Sequence, residues 1–292
     1  MTVISIQSQV AWGHVGNSAA AFPIQLHGID VIAVPTTLLS NRPGYPTIRG
    51  RVLDVQLVAD LLRGIEERGA IDGAQMILSG YLGSSDIGQE VADFVARAKA
   101  KNPALRYCCD PVLGDRDRGM FVRTDIPPLV RDELCPVADI ITPNHFEFEF
   151  LCGAKAGAID DVVAQARNLI ARGPSTIVIT SAELADTPAG DIEMLAIERT
   201  DAWRVRTPRL PISPSGTGDL FAALFASARV RGLATPDALS HAASAIYGVL
   251  ERTALRRTEE MRIVESAELI RHPPRRFAAV AIAAHPHPGR AS

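Results

Sequence analysis

The chain has 292 residues, enough to bury a large hydrophobic core in one α/β domain or in two smaller ones. Hydrophobic residues make up 47% and charged residues 22% of the chain, which is typical of a globular protein. The net charge of −3 leaves no basic surplus, so nucleic acids and anionic membranes are not expected partners. The longest apolar run, Phe277–Ala284, falls well short of the ~18 residues of a membrane span.

Four cysteines occur, and they form neither a C-x-x-C pair nor a cysteine/histidine metal spacing: Cys108, Cys109, Cys135 and Cys152. The first two lie in an apolar run and are expected to be buried free thiols. The N-terminus lacks the basic flank and apolar stretch of a signal peptide. Together these features predict a cytoplasmic protein.

The first third of the chain alternates strands and helices. The predicted strands are Val3–Ile6, Asp30–Thr36 and Gln75–Leu78, and the predicted helices are Ser18–Leu26, Leu53–Arg68 and Asp86–Lys101. A strand, a helix and a second strand in succession indicate parallel pairing. The segment Leu38–Gly50 is rich in turn-forming residues and long for a connection, which is typical of a binding loop or lid.

The middle of the chain continues the alternation. Predicted strands are Leu105–Val112, Asp139–Thr142 and Ser175–Ser181, and predicted helices are Asp125–Leu134 and Asp161–Ala171, with a charged loop at Gly114–Thr124. Phe146, Phe148 and Phe150 alternate as in a strand, but Thr142 followed by Pro143 resembles an N-cap with proline at the first helical position. We therefore predict a helix there.

The last third contains an antiparallel pair and three helices. The pair is Ile192–Ile197 with Trp203–Thr207, and the helices are about Gly216–Arg231, Pro236–Leu250 and Glu259–Ile270. The final residues, 272–292, show no hydrophobic periodicity and are predicted to be a disordered tail. His285 and His287 in this tail could bind a metal, but solvation is the favoured interpretation. The whole pattern predicts a doubly wound, mostly parallel α/β sheet with antiparallel edge strands and helices on both faces, formed as one domain over residues 1–271.

In such a sheet, ligands bind beyond the carboxyl ends of the strands. A group of polar residues falls at or just after predicted strand ends: Ser8, Tyr81, Asp110, Thr142, Asn144, Thr180 and Ser181. For Ser8 and Tyr81 the purely structural alternatives are a turn cap and an ordinary partly buried ring. The sequence therefore predicts a site at this one edge of the sheet.

The stretch Ser213–Ala226 supplies an anion site for that edge. Gly216 and Gly218 form a glycine loop that ends in Asp219 and leads directly into an apolar run. A glycine loop at a helix start presents free backbone N–H groups to an anion, and the carboxylate can take a proton from a hydroxyl. The structural alternative, a helix cap, is common and stays open at this point.

Two pairs of residues suit Mg²⁺ and phosphate. Asp110 and Asp115 lie five residues apart across a strand end, and Asn144 and Glu147 lie three apart, on one helical face. Each pair also has a structural explanation, either an Asp-Pro turn with a solvated loop or a helix start with acidic residues. The chain lacks a Walker A loop, a G-x-S-x-G elbow and a dinucleotide fingerprint. Jointly these residues indicate phosphoryl transfer from a nucleotide to a hydroxyl.

The sequence resembles the pyridoxal kinases of the ribokinase superfamily over nearly the whole chain, to about Arg271. The matching blocks are Ile6–Val10, Gly13–Ala20, Ser40-Asn41, Ser79–Gly83, Cys109–Asp115, Ala138–Asn144 with Glu147, Ile179–Ser181 and Gly216–Phe221. The last block carries the superfamily signature GTGD, and the earlier blocks are more specific to pyridoxal kinases. The resemblance implies a ribokinase-like three-layer α/β/α fold, ATP-dependent phosphorylation of the 5′-hydroxymethyl group of pyridoxal, use of Mg²⁺, often with K⁺, and a homodimer.

Residue roles follow from the resemblance alone. Asp219 is implied as the general base, and Gly216, Thr217 and Gly218 as the anion hole. The residues implied at the vitamer are Ser8, Val15, Pro43, Gly44 and Tyr81. Those implied around ATP are Asp110, Asp115, Thr142, Asn144, Glu147, Thr180, Ser181, Thr207, Pro208, Arg209 and Leu210. Of these, Asp110, Asp115 and Glu147 are implied at the metal, directly or through water. The implied substrate flap is residues 38–50, and the lid loop is residues 114–124.

The flap departs from the family pattern S-N-H-T-x-Y, because Arg42 and Pro43 replace its histidine and threonine. Pro43 has no hydroxyl or N–H to offer a substrate, and Arg42 adds a cation that either steers an anionic ligand or is solvated. The preferred vitamer is therefore left open. Three other functions also remain as alternatives: a related small-alcohol kinase such as hydroxymethylpyrimidine kinase, a weakly catalytic vitamer-binding protein, and a Rossmann oxidoreductase, which the missing fingerprint disfavours.

Overall fold

The computed structural model describes residues 1–274 and 276–283, and their centre is a twisted ten-stranded sheet. The strands of this sheet are β1 Thr2–Trp12, β2 Asp30–Asn41, β3 Gly50–Val52, β4 Met76–Ser79, β5 Arg106–Cys109, β8 Ile140–Ile141, β9 Thr176–Ala182, β10 Asp191–Ile197, β11 Ala202–Pro208 and β12 Val280–Ala281. A separate hairpin consists of β6 Gly114–Asp115 and β7 Gly119–Met120. The strand order is β12-β11-β10-β9-β8-β5-β4-β1-β2-β3. Strands β9-β8-β5-β4-β1-β2 pair in parallel, and β10 and β11 form an antiparallel edge, as the sequence predicted. The other edge, where β3 pairs antiparallel with β2, was not predicted.

Helices cover both faces of the sheet. They are α1 Asn17–Gln25, α2 Val55–Glu67, α3 Ala70–Gly73, α4 Ser85–Lys101, α5 Ile126–Leu129, α6 Cys135–Val137, α7 His145–Cys152, α8 Ile159–Ile170, α9 Thr217–Val230, α10 Thr235–Arg256 and α11 Ala267–Arg271. One hydrophobic core lies between the sheet and α2, α4, α7 and α8, and a second lies between the sheet and α1, α9 and α10. Ten of the fourteen residues of α9 are buried, because it is sandwiched between the sheet, α1 and α10. Within the described residues, no helix combines the length and apolarity needed to cross a bilayer.

Several predicted boundaries were wrong. The predicted helix at Asp125–Leu134 is a short α5 followed by a π-helical turn, Val130–Leu134. The predicted helix at Glu259–Ile270 reduces to a 3-10 turn, Val264–Ser266, and α11, because Glu260 is held away from helical geometry by contacts with other segments. Helix α7 begins at His145 with Asn144 as its cap, whereas Thr142 had been expected to cap it.

Part of the expected disordered tail is attached to the domain. The Phe277 N–H donates to Ser244 Oγ at 2.9 Å, and Ser240 Oγ donates to the Phe277 carbonyl at 2.6 Å. Strand β12 then pairs with β11, so residues 276–283 extend the sheet beyond its predicted antiparallel edge. The prediction of disorder from residue 272 was therefore wrong for these residues. His285 and His287 lie outside the described residues.

Candidate active site

The carboxyl ends of the parallel strands bring buried polar side chains together, as the sequence predicted for this edge. Asp110 follows β5, and its carboxylate accepts a hydrogen bond of 2.7 Å from Thr142 Oγ1, which follows β8. Both side chains are buried. Burial raises the pKa of Asp110 well above its usual value, and the negative charges of Asp219 and Glu147 raise it further. A bound cation would be stabilised beside a buried carboxylate whose ionisation is opposed by two other negative charges.

Asn144 and Glu147 form a capping box at the start of α7. The Glu147 N–H donates to Asn144 Oδ1 at 3.0 Å, and the Asn144 N–H donates to Glu147 Oε2 at 2.9 Å. Glu147 Oε1 also accepts from the Leu113 and Gly114 N–H groups, at 2.8 and 3.3 Å. Burial raises the pKa of Glu147 to about 8, although these backbone donors oppose the shift. Glu147 therefore fastens the lid hairpin to α7, which leaves few of its lone pairs for a metal.

The loop Gly216–Gly218 stands at the N-terminus of α9, as expected of an anion site. Gly216 caps the helix with φ +85°, a left-handed conformation that favours glycine. A Cβ atom at Gly216 would lie 1.9 Å from the His14 carbonyl oxygen, so the two loops approach too closely for any side chain. Thr217 Oγ1 donates to the Pro214 carbonyl at 2.7 Å, which fixes the loop.

Asp219 lies in the first turn of α9 but does not cap the helix, since Gly216 holds the cap position. Its carboxylate accepts a hydrogen bond from the Gly16 N–H. Burial raises the pKa of Asp219, and this hydrogen bond lowers it in part. A Cβ atom at Gly16 would lie 2.4 Å from Ser8 Oγ, so Ser8 and Asp219 flank the same glycine. The carboxylate thus has a backbone donor and a raised pKa at the start of α9, which suits a proton acceptor.

Other predicted residues border this centre without meeting it. Tyr81 follows β4 with a half-buried ring, and its carbonyl accepts from Thr36 Oγ1 at 2.6 Å. Asp115 points into its own hairpin, where it accepts from the Arg118 N–H and Nε, each at 2.7 Å. Asp115 can bind a metal only after its hydrogen bonds with Arg118 are broken.

The wall on the β9–β11 side is irregular where the nucleotide was expected. Thr180 bridges to Asn144, which joins β9 to the start of α7. Ser181 has φ +53°, a conformation that non-glycine residues rarely adopt, beside an irregularity in the β9–β10 pairing. Thr207 is buried, whereas Arg209 is exposed and forms an ion pair with Glu183, which also pairs with Arg116 of the lid at 3.2 Å. Three further predicted residues lie on exposed or partly exposed segments: Val15, Pro208 and Leu210.

Sequence reasoning missed several residues that shape the site. Gly16 supplies the N–H on Asp219, and His14 supplies the carbonyl against Gly216. Glu260 contacts both the flap and the loop that contains these residues. His14 and Gly16 lay in the matching block Gly13–Ala20, but that match gave neither residue these contacts, and Glu260 lay outside every matching block.

Comparisons with known proteins agree with this geometry. The phosphomethylpyrimidine kinase family profile matches residues 50–263. The pyridoxal kinase PdxY of Leifsonia xyli is 45% identical over 278 residues, covering 95% of this chain and 98% of that protein, and the PdxY of Rubrobacter xylanophilus is 44% identical, covering 95% and 96%. The structure of Leishmania donovani pyridoxal kinase in complex with ADP and pyridoxamine superposes with a TM-score of 0.89 at 29% identity, covering 97% of this chain and 99% of that one.

The fold is therefore the ribokinase-like α/β/α fold of a small-molecule kinase, as the resemblance implied. Among the proteins with this fold, the long matches at 44–45% identity decide the assignment. The chain belongs to the pyridoxal kinase family.

Proposed function

We propose that the chain transfers the γ-phosphoryl group of ATP to the 5′-hydroxymethyl oxygen of pyridoxal. The observation that carries this proposal is the Asp219 carboxylate, oriented by the Gly16 N–H beside the N-terminus of α9. Asp219 takes the hydroxyl proton, the alcohol oxygen bonds to the γ-phosphorus, and the bond from that phosphorus to the β,γ-bridging oxygen breaks to release ADP. The N–H groups of residues 216–218 stabilise the negative charge of the transferring group. Relatives that bind ADP and vitamers support the choice of substrates.

The buried carboxylates fit a divalent cation that is shared with ATP. Asp110 has a raised pKa because of burial and the neighbouring charges, and a cation would relieve both causes. No cluster of three or more histidine, cysteine, aspartate or glutamate side chains with metal-binding geometry occurs among residues 1–274 and 276–283. We infer that Mg²⁺ is held by Asp110 and by phosphate oxygens, with Glu147 acting through water, because Mg²⁺ commonly uses only one or two carboxylates. Bound there, Mg²⁺ would neutralise phosphate charge; K⁺ is a further proposed activator.

The exposed apolar residues support a homodimer. Strand β3 is a three-residue edge strand, and Trp12, Leu38 and Val52 near it are 66%, 48% and 39% exposed. Helix α2 adds Leu57 at 47% exposed. Such residues at a sheet edge favour burial against a second copy of the chain. Light scattering after gel filtration should give about twice the 31.3 kDa mass of the chain. We also propose a cytoplasmic location, which the four free cysteines support.

The test is an assay of purified protein with ATP and Mg²⁺ against pyridoxal, pyridoxine, pyridoxamine and hydroxymethylpyrimidine, with and without K⁺ and with EDTA as a control. We expect phosphorylation of pyridoxal and loss of turnover with EDTA. Hydroxymethylpyrimidine kinase is the second candidate, because the matching family profile carries a related name and the flap lacks the usual hydroxyl at Pro43. Turnover of the pyrimidine alone would select it. Binding of vitamers without any turnover would instead indicate a vitamer-binding protein.

A further inference from the structure

The Glu260 carboxylate joins the outer part of the substrate flap, residues 42–49, to the segment after α10, while flap residues 38–41 belong to β2 and pair with β1. Arg42 Nε donates to Glu260 Oε1 at 2.9 Å, and the Tyr45 hydroxyl donates to the same oxygen at 2.8 Å. The Arg42 guanidinium carbon also lies 4.6 Å from the centre of the Tyr45 ring. The side chains of Arg42 and Glu260 are only 13% and 14% exposed, so this ion pair is shielded from solvent. Arg42 is thus neither a free steering charge nor a solvated one.

Hydrogen bonds within the flap connect its outer part to the end of β2. Asn41 Nδ2 donates to the Thr47 carbonyl at 2.9 Å, and the Arg49 N–H donates to Ser40 Oγ at 2.9 Å. Both of these hydrogen bonds stay inside the flap. The strand pairing of β2 fixes the base of the flap, and the contact with Glu260 further positions its outer part.

The second oxygen of Glu260 reaches the loop that lies against the catalytic centre. Glu260 Oε2 accepts from the His14 N–H at 3.1 Å. A Cβ atom at Gly13 would lie 2.5 Å from the same oxygen, and Gly13 has φ +96°. Glycine is thus required where the carboxylate packs against the backbone.

This loop contacts both the proposed base and the anion site. The carbonyl of His14 packs against Gly216, and the N–H of Gly16 donates to Asp219. Met261, the residue after Glu260, also approaches Gly216, with its methyl carbon 3.1 Å from the position of an added Cβ. Glu260 therefore contacts the flap through one oxygen and, through the other, the loop whose Gly16 N–H donates to Asp219.

We propose that Glu260 is a positioning residue that sets the flap over the vitamer and the loop of His14 against the anion site at the same time. The inference deepens the proposed function, since the flap and Asp219 serve the same alcohol substrate. It also bears on specificity. Because Glu260 neutralises Arg42, the position of the flap, and not a free cation, selects the vitamer.

The test compares Glu260→Gln with Glu259→Gln. Glutamine keeps the size of the side chain but removes the charge that pairs with Arg42. The adjacent Glu259 is a matched control, because it is 74% exposed and lies 3.7 Å from Arg42. We expect Glu260→Gln to raise the KM of the vitamer on the order of 10-fold, as for loss of a shielded ion pair, with the KM of ATP within about 2-fold of wild type. Glu259→Gln should change neither.

Flap attachment is measured independently of turnover by limited digestion with trypsin. Arg49 lies in the flap and Arg51 directly after it, and both are exposed cleavage sites. We expect cleavage at these residues to accelerate in Glu260→Gln but not in Glu259→Gln. Arg42→Gln, which alters only the flap end of the contact, should reproduce both effects. The double variant Arg42→Gln/Glu260→Gln should be no worse than the stronger single variant, because the two residues act through one contact.

The inference fails if Glu260→Gln matches Glu259→Gln in vitamer KM and in cleavage. It also fails if Glu260→Gln lowers the melting temperature and raises the KM of ATP and vitamer equally, since that is a general structural role. Should Glu260→Gln not fold, Arg42→Gln decides between the same outcomes. A wild-type protein that phosphorylates no vitamer would defeat the proposed function, whereas the cleavage comparison would still decide whether Glu260 holds the flap.

Discussion

Replacing the proposed base tests the mechanism most directly. Asp219→Asn preserves the size of the side chain, and the asparagine carbonyl oxygen can still accept the hydrogen bond from the Gly16 N–H. What disappears is the ability to take a proton from the alcohol. General-base catalysis contributes on the order of 10²- to 10⁴-fold, so kcat should fall by about that factor, equivalent to ~2.7–5.4 kcal/mol in the activation free energy.

Stability should change in the opposite direction. Burial raises the pKa of Asp219, so the folded state binds its proton above pH 3.8, where the unfolded state has begun to release it. The unfolded state therefore holds fewer protons in the window from 3.8 to the folded pKa, and stability falls as pH rises through that window. Asparagine has no carboxyl group to ionise, so this loss of stability does not occur in the variant. Asp219→Asn should unfold at the wild-type temperature or higher at neutral pH, even though it is inactive.

The assay follows ADP release and vitamer phosphate together, with ATP affinity measured by calorimetry. Asp86→Asn is the matched control, because Asp86 also lies in the first turn of a helix, α4, but is exposed. The control should retain activity, and both variants should bind ATP. Turnover of Asp219→Asn within about 5-fold of wild type, far less than loss of a general base causes, would refute the assignment of the base.

Three further outcomes follow from the geometry. Gly216→Ala should destabilise the protein by at least ~1–2 kcal/mol and reduce kcat, measured by melting and turnover, because its φ of +85° and the adjoining carbonyl exclude a Cβ atom. Thr142→Val should cost ~1–3 kcal/mol in urea denaturation, because Asp110 loses its buried hydroxyl donor. Burial lowers the pKa of both His27 and His241 from 6.5 to about 4, so the unfolded chain binds protons first and stability falls as pH drops from 6.5 towards 4. Replacing both histidines with glutamine should reduce the fall in melting temperature between pH 7 and pH 5. An unchanged dependence of melting temperature on pH would show that these two histidines do not cause the fall.

The sequence pattern was sufficient to predict the parallel sheet and the antiparallel edge of β10 and β11, but not where a strand ends inside the site. Strand β1 was expected to end at Ile6, because Gln7, Ser8 and Gln9 are polar. The strand continues to Trp12, since its polar groups find partners in the interior: Asn17 Nδ2 donates to the Gln7 carbonyl at 3.2 Å. Hydropathy alone cannot show that a buried polar group is paired, and such pairing is concentrated where the site lies.

Helix α7 is a case in which the sequence left two explanations open, a helix start and a shared metal or phosphate site. Asn144 and Glu147 have the spacing of a capping box, but the spacing also suited a shared metal or phosphate. The structure uses Glu147 to fasten Leu113 and Gly114 to the cap, and Thr142 is engaged with Asp110 instead of capping the helix. Spacing of three residues defines a shared face but not the partner on that face.

Neither hydropathy nor residue spacing could have revealed the contact at Glu260, because its members lie more than 200 residues apart in the chain. Glu260 was predicted to lie in a helix, Glu259–Ile270, and Arg42 either to steer an anionic ligand or to be solvated. Both residues depart from an expectation. Glu260 lies outside a helix although the local sequence favours one, and Arg42 replaces the histidine that is usual in the flap of the family. Because both departures meet in one shielded ion pair, the change in the flap and the irregular segment after α10 are parts of a single structural feature, and replacing Arg42 with histidine alone should loosen the flap instead of restoring the family's substrate choice.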